Sequence, residues 1–259
     1  MLGILDSGVG GLTVLREIRQ LLPHEDLHYV GDSAWVPYGN KSAREIQKRV
    51  FAITDFLLAQ GASLIVIACN SATISAVEAL RAAYPVPFVG MEPGIKPAAA
   101  LTRSGTIGVL ATEASLAGEK FHRLVDTHAG SLRVLTRPCP DFVTLVEAGQ
   151  LDGPEVVSAI RQYCDPLLAE GADALILGCT HYPFLKAALS RELPDGISLI
   201  DTGPAVARRV ASLLPALPAS LDKGELHLHT TGSLTRLREL APLLLPGEDP
   251  KLSALDLGA

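Results

Sequence analysis

An excess of positive charge is the first thing this chain lacks. Its 259 residues carry 22 lysines and arginines against 28 aspartates and glutamates, a formal net charge of −6. That balance offers no basic field to nucleic acid or to an anionic membrane surface, so neither is predicted as a partner. An anionic small molecule would have to be held by local donors. Long hydrophobic runs are also missing, and none approaches the roughly 20 residues of a membrane span. Met1-Leu2-Gly3-Ile4-Leu5-Asp6 meets an acid before an apolar segment could form, so no secretory signal is expected there. Cysteine is sparse. The four residues Cys69, Cys139, Cys164 and Cys179 show neither metal-ligand spacing nor a dense disulfide pattern. Free thiols in a reducing cytoplasm, with no metal site, are the expectation.

What is present is globular in composition, 48% hydrophobic and 19% charged, and long enough for one large domain or two modest ones. The chain is organised around a duplicated stretch. Residues 61–69 (GASLIVIAC) align without a gap against residues 171–179 (GADALILGC), 110 positions later. Each is a short apolar run ending in a cysteine, the pattern of a buried parallel strand. The C-terminal ends of such strands are where open α/β sheets bind ligands. Residues 3–7 find a second, looser echo in residues 108–112, at an offset of 105.

Around these, strands and helices alternate. Strands are predicted at residues 3–5, 27–30, 64–69 and 88–89, with a helix after Gly11 that stops at Pro23. A further helix opens on the capping box Ser42-Ala43-Arg44-Glu45, and another spans 72–83. Pro93, Gly94 and Pro97 read as punctuation. The second half predicts helix 115–127, strand 132–135, helices 141–148 and 154–170, the strand ending in Cys179, a helix after Pro183 and strand 197–200. A helix, a strand at 226–230 and a final helix complete the chain. The fold class is therefore α/β, with two similar parallel-sheet domains related by pseudo-two-fold symmetry and a site between them. Residues 1–96 with 206–259 form the first domain and 97–205 the second.

Cys69 and Cys179 end matching strands and are followed by hydrogen-bonding residues, which sets them apart from Cys139 and Cys164, read as structural. Asp6 and Ser7 are either a turn with a helix cap or a base and a donor to a carboxylate. His181, two residues after Cys179, is either a capped loop imidazole or a proton partner for that thiol. Tyr38-Gly39 fits a turn or a ligand loop, and Glu147 a solvated helix acid. A dinucleotide fingerprint fails, because Thr13 stands where the third glycine of Gly8-x-Gly10 belongs. Two thiols in equivalent positions suit stereoinversion, one taking a proton from a carbon while the other delivers one from the opposite face. Asp6 and His181 would relay protons, and Ser7, Asn70, Ser71, Thr73 and Thr180 would hold the carboxylates of an amino acid.

The motifs Asp6-Ser7-Gly8-Val9-Gly10-Gly11-Leu12, Pro37-Tyr38-Gly39, Cys69-Asn70-Ser71-Ala72-Thr73 and Leu177-Gly178-Cys179-Thr180-His181-Tyr182-Pro183 together resemble the glutamate racemases. The resemblance implies cofactor-independent interconversion of L- and D-glutamate, supplying peptidoglycan. By it, Cys69 acts on the D-enantiomer and Cys179 on the L-enantiomer, with Asp6, His181 and the auxiliary acid Glu147 assisting. Substrate contacts come from Asp6, Ser7, Tyr38, Gly39, Asn70, Ser71, Thr180 and His181, in a homodimer. Ser71 stands where threonine is usual, and Trp35 where a basic residue is commoner. Rival readings are aspartate racemase, a hydrolase using one cysteine, and a two-lobed amino-acid-binding protein without catalysis.

Overall fold

A computed structural model describes residues 1–214 and 222–258. By its internal contacts the chain divides into two compact units, Met1–Met91 with Gly203–Ala259, and Glu92–Thr202.

The first unit opens with β1 (Leu2–Asp6), α1 (Leu12–Leu21), β2 (Leu27–Gly31), α2 (Ala43–Ala59), β3 (Leu64–Ile67), α3 (Asn70–Ala83) and β4 (Phe88–Gly90). β1 and β3 are buried along their whole length, which is why they read as unbroken apolar runs rather than as an alternation. The capping box of α2 forms as predicted, Glu45 N–H donating to Ser42 Oγ at 3.3 Å and Ser42 N–H to the Glu45 carboxylate at 2.9 Å. The predicted strand to residue 69 ends at Ile67, and the helix after it begins at Asn70, because Cys69 serves as the helix N-cap.

The second unit contains α4 (Ile95–Leu101), β5 (Thr106–Ala111), α5 (Glu113–Ala117), α6 (Glu119–His128), β6 (Arg133–Pro138), α7 (Pro140–Glu147), α8 (Pro154–Ala169), β7 (Ala174–Gly178), α9 (Lys186–Glu192) and β8 (Ser198–Ile200). Two expectations change here. The prolines and glycine at 93–97 start a helix instead of merely interrupting the chain, since Pro97 lies in the first turn of α4, where no N–H is required. The single helix expected over 115–127 is two, broken where Gly118 adopts an extended backbone.

The chain then returns to the first unit as α10 (Gly203–Leu213), β9 (Leu226–Thr230), α11 (Leu234–Leu244) and β10 (Lys251–Ala254). β10 went unpredicted, and four residues as mixed as Lys251-Leu252-Ser253-Ala254 explain why.

Every strand pairing is parallel. The first sheet runs β10-β9-β2-β1-β3-β4 and the second β6-β5-β7-β8. Setting β5, β6, β7 and β8 against β1, β2, β3 and β4 gives the second sheet the same order as the run β2-β1-β3-β4 that ends the first. The repeat seen in sequence is thus a repeat of topology. It carries β3 and β7 to equivalent interior positions, each delivering a cysteine just past its C-terminal end. No helix among the described residues is long and apolar enough to cross a membrane.

Candidate active site

In the first unit Asp6 ends β1 and is completely buried. Its Oδ2 accepts from the N–H groups of Gly8 and Gly11 at 3.1 and 3.0 Å, and its backbone carbonyl accepts from Asp32 N–H at 2.9 Å. Gly11 allows this curl of chain, for a Cβ there would fall 2.7 Å from Asp6 Cβ. Cys69 stands on the neighbouring strand end. Its Sγ accepts from Ala72 N–H at 3.4 Å and lies 3.9 Å from Ser7 Oγ. The thiol therefore occupies the N-terminus of a 14-residue helix, where unpaired N–H groups and the helix dipole favour negative charge.

Asn70 and Ser71, the first residues of α3, are buried beside it. Asn70 Oδ1 has no hydrogen-bond partner among the described residues, a costly state for a buried carbonyl unless a ligand supplies a donor. Thr73 differs. Its hydroxyl donates to Ile67 C=O at 3.2 Å and accepts from Met91 N–H at 2.9 Å, tying the ends of β3 and β4 together. The predicted carboxylate donor is occupied with backbone.

Tyr38 is likewise turned inward. Its hydroxyl donates to Asp32 Oδ2 at 2.6 Å, and burial together with that carboxylate raises the phenol far above its usual range. Asp32 is itself held by Arg49 (2.8 and 3.0 Å) and by Thr231 Oγ1 at 2.7 Å. This buried cluster commits the acid just past β2, where a ribose-binding acid of a dinucleotide fold would stand, to an arginine. Trp35 stacks under the Arg49 guanidinium at 5.1 Å, so its apolar ring covers the same ion pair. What Tyr38-Gly39 can offer a ligand is backbone, at a turn of 3₁₀ helix over Tyr38–Asn40.

The second unit solves the same problem with different groups. Cys179 follows β7, and Gly178 before it packs against β5 so closely that a Cβ would meet Leu110 C=O at 2.8 Å. His181 Nδ1 lies 3.6 Å from Cys179 Sγ, and its Nε2 lies 2.8 Å from Glu147 Oε1 at the end of α7. His181 is buried. Burial alone would lower its pKa, but hydrogen bonds to Cys179 and Glu147, and their charges, outweigh that and raise it well above the ordinary imidazole value. As an imidazolium it donates to both. Tyr182 pins the turn that carries His181, its hydroxyl reaching Cys139 C=O at 3.0 Å and Ala111 C=O at 3.1 Å. Thr180 is buried in the same turn. Thr112, the counterpart of Ser7, caps α5 through Ser115 N–H at 3.2 Å.

Cys139 and Cys164 stay structural. Both are fully buried, and burial pushes the Cys164 thiol up to about 12 and Cys139 higher still. Among the described residues no cysteine forms a disulfide. The brace formed by Asp32, Arg49 and Thr231 beneath Tyr38 was missed in the sequence, where its members lie far apart.

This is a duplicated, all-parallel α/β protein that presents a buried thiol at the ligand end of an interior strand in each half. A model of the family described as Asp/Glu/Hydantoin racemase matches residues 3–210, and the chain belongs to that family. It is 54% identical over 246 residues to a glutamate racemase of Ectopseudomonas mendocina, covering 94% of each chain. Among solved structures, Escherichia coli glutamate racemase in complex with L-glutamate and the activator UDP-MurNAc-ala superposes with a TM-score of 0.87 at 34% identity, over 98% of this chain and 97% of that one. Glutamate racemase from Francisella tularensis in complex with D-glutamate gives a TM-score of 0.84 at 30% identity, over 99% and 97%.

Proposed function

We propose that this chain interconverts L- and D-glutamate by proton exchange at Cα, without pyridoxal phosphate, using Cys69 and Cys179 as the two acid–base groups. The observation that carries the reading is the duplication itself: equivalent strands end in equivalent buried thiols, each with its own hydrogen-bonding partner. Inversion of a stereocentre needs a base on one face of the carbon and an acid on the other. A thiol with an unperturbed pKa near 8.5 can serve as either once its thiolate is stabilised.

In this scheme Cys69 works on the D-enantiomer and Cys179 on the L-enantiomer. The α3 N-terminus and Ser7 favour the Cys69 thiolate, with the Asp6 carboxylate as its proton relay. His181, held by Glu147, exchanges a proton with Cys179. Substrate is bound by Ser7, Asn70, Ser71, Thr180 and the backbone at Tyr38-Gly39, the Asn70 carbonyl being a natural acceptor for the substrate ammonium. Thr73 positions the strand ends. The names of the relatives, and the two glutamate enantiomers held by the two solved structures, support the substrate. We further propose a homodimer working in the cytoplasm and supplying D-glutamate for peptidoglycan.

The test is polarimetry of L- and D-glutamate with purified protein in heavy water, free of added cofactor, with aspartate assayed beside them. Optical rotation should decay to zero for both glutamate enantiomers, with solvent deuterium entering Cα. Activity on aspartate alone would overturn the substrate, and full activity in either single cysteine-to-serine variant would overturn the two-thiol scheme.

A further inference from the structure

Three histidines outside the thiol-bearing strand ends converge in the first unit. β2 and β9 pair in parallel with His28 opposite His227, and His229 follows two residues along β9. Strand side chains alternate with a period of two, so all three rings project from the same sheet face. One nitrogen from each lies within 4.8 Å of the other two. His28 Nδ1 and His229 Nε2 are 3.4 Å apart. Two nitrogens bound to one tetrahedral zinc at ~2.0–2.1 Å stand about 3.3 Å apart, so this pair already has the spacing of two ligands on a shared ion.

The outward nitrogens are held in the way that metal-bound imidazoles usually are. His229 Nδ1 meets Ser253 Oγ of β10 at 2.6 Å, and His227 Nε2 meets Glu225 Oε2 at 2.9 Å. Phe56 closes one side, edge-on to His229 at 5.0 Å between ring centres. Two cations stand close by: Lys251, whose Nζ is paired with the same Glu225 oxygen at 2.8 Å, and the N-terminal ammonium, whose charge acts on the His28 imidazole. The rings of His28 and His227 are stacked, 4.3 Å apart and 17° from parallel. Ligation runs in the plane of an imidazole, so His227 must tilt out of the stack to join, and its partial exposure leaves room for that.

We propose that His28, His227 and His229 form a binding site for a divalent transition-metal ion of the zinc or nickel class, with water completing the coordination. Imidazole is the ligand type suited to such ions. The site lies on β2 and β9, separated from β3 and its cysteine by β1, and it shares no residue with the proposed racemisation chemistry. The bound ion would tie the strand carrying His28 to a strand almost 200 residues later. That separation is why no sequence spacing announced it.

The test is calorimetric titration of chelator-treated protein with ZnCl2 and NiCl2, alongside thermal melting and racemisation assays. One ion per chain should bind and raise the melting midpoint, as any ligand selective for the folded state does. Binding should weaken at least about tenfold in His227→Gln and in His28→Gln/His229→Gln, by comparison with losses of supporting groups alone. Racemisation without metal should be unchanged in His227→Gln, which also reports should the double variant fail to fold. The Co²⁺-loaded protein should show no thiolate charge-transfer band. No binding, equal binding by wild type and His227→Gln, or a thiolate band would overturn the site. The last result would assign the ion to a cysteine, and the first would reduce the 3.4 Å contact to a hydrogen bond between neutral imidazoles.

Discussion

The two halves of the duplication share their strand order and their thiol, and differ in the hydrogen-bonding groups set against the sulfur. Cys69 caps a long helix and receives its N–H, with a hydroxyl beside it, and at the end of β1 the Asp6 carboxylate is fixed by two backbone donors. Cys179 is followed by a turn of 3₁₀ helix, Tyr182–Leu185, instead of a long helix, and its partner is an imidazole braced by Glu147. The position of Asp6 is taken in the second half by Ala111, and the acid arrives from α7 through His181. Duplication copies a backbone and the place where a side chain ends. The electrostatics that make a thiol useful can then be supplied separately, by a helix terminus in one copy and by an ion pair in the other.

The comparison breaks most visibly at the sulfurs. Cys69→Ser and Cys179→Ser should each lower the racemisation rate by about 10²–10⁴-fold, the usual scale for loss of a positioned acid or base, in polarimetric assays with either enantiomer. A half that merely packs would leave its variant near wild type. Next in size is Asp6→Ala. It strands the buried N–H groups of Gly8 and Gly11, at ~1–3 kcal/mol each, so denaturant melts should show a loss of about 2–6 kcal/mol besides the loss of rate. Ala111→Asp, the reciprocal change in the other half, puts an acid where no equivalent curl of glycines receives it, and should restore nothing. Smaller again is Thr73→Val, which removes the clamp between the ends of β3 and β4 and should cost ~1–3 kcal/mol. If Thr73 instead contacts substrate, the KM for glutamate will rise with stability unchanged.

Much of this was legible because it is periodic or repeated. The buried strands, the capping box at Ser42 and the paired cysteines all follow from short-range pattern. Helix α4 was hidden because proline is read as a stop although it is well tolerated in a first turn. The break at Gly118 was hidden because the apolar face continues across it. Residue roles were harder to read than elements. Tyr38 and Thr73 are polar residues in the right motifs, yet their hydroxyls are directed at Asp32 and at backbone. Deciding that needed the positions of Met91 and Asp32, which nothing local to either motif reveals. Glu147 was reached only through family resemblance, because 34 residues separate it from the imidazole it holds.

The finest contrast is carried by Glu147, which is held against an imidazole where the Asp6 carboxylate of the other half is held by backbone N–H groups. His181 has a folded pKa above its unfolded value near 6.5. Its contribution to stability is therefore complete below about 6.5 and is lost as pH rises through the folded value. Glu147→Gln keeps an acceptor 2.8 Å from Nε2 but removes its charge. Charge-assisted bonds are about twice as strong as neutral ones, so the change is worth ~1 kcal/mol, somewhat under one pH unit. An NMR titration should show the His181 imidazole releasing its proton at lower pH in the variant. Melting midpoints of variant and wild type should differ in slightly acidic buffer and converge in alkaline buffer, where the imidazole is neutral in both. The alkaline limb of the rate profile should move in the same direction as the imidazole. An imidazole titration untouched by the substitution would leave Cys179 with a histidine but without a relay, and the second half would then resemble the first more closely than its geometry indicates.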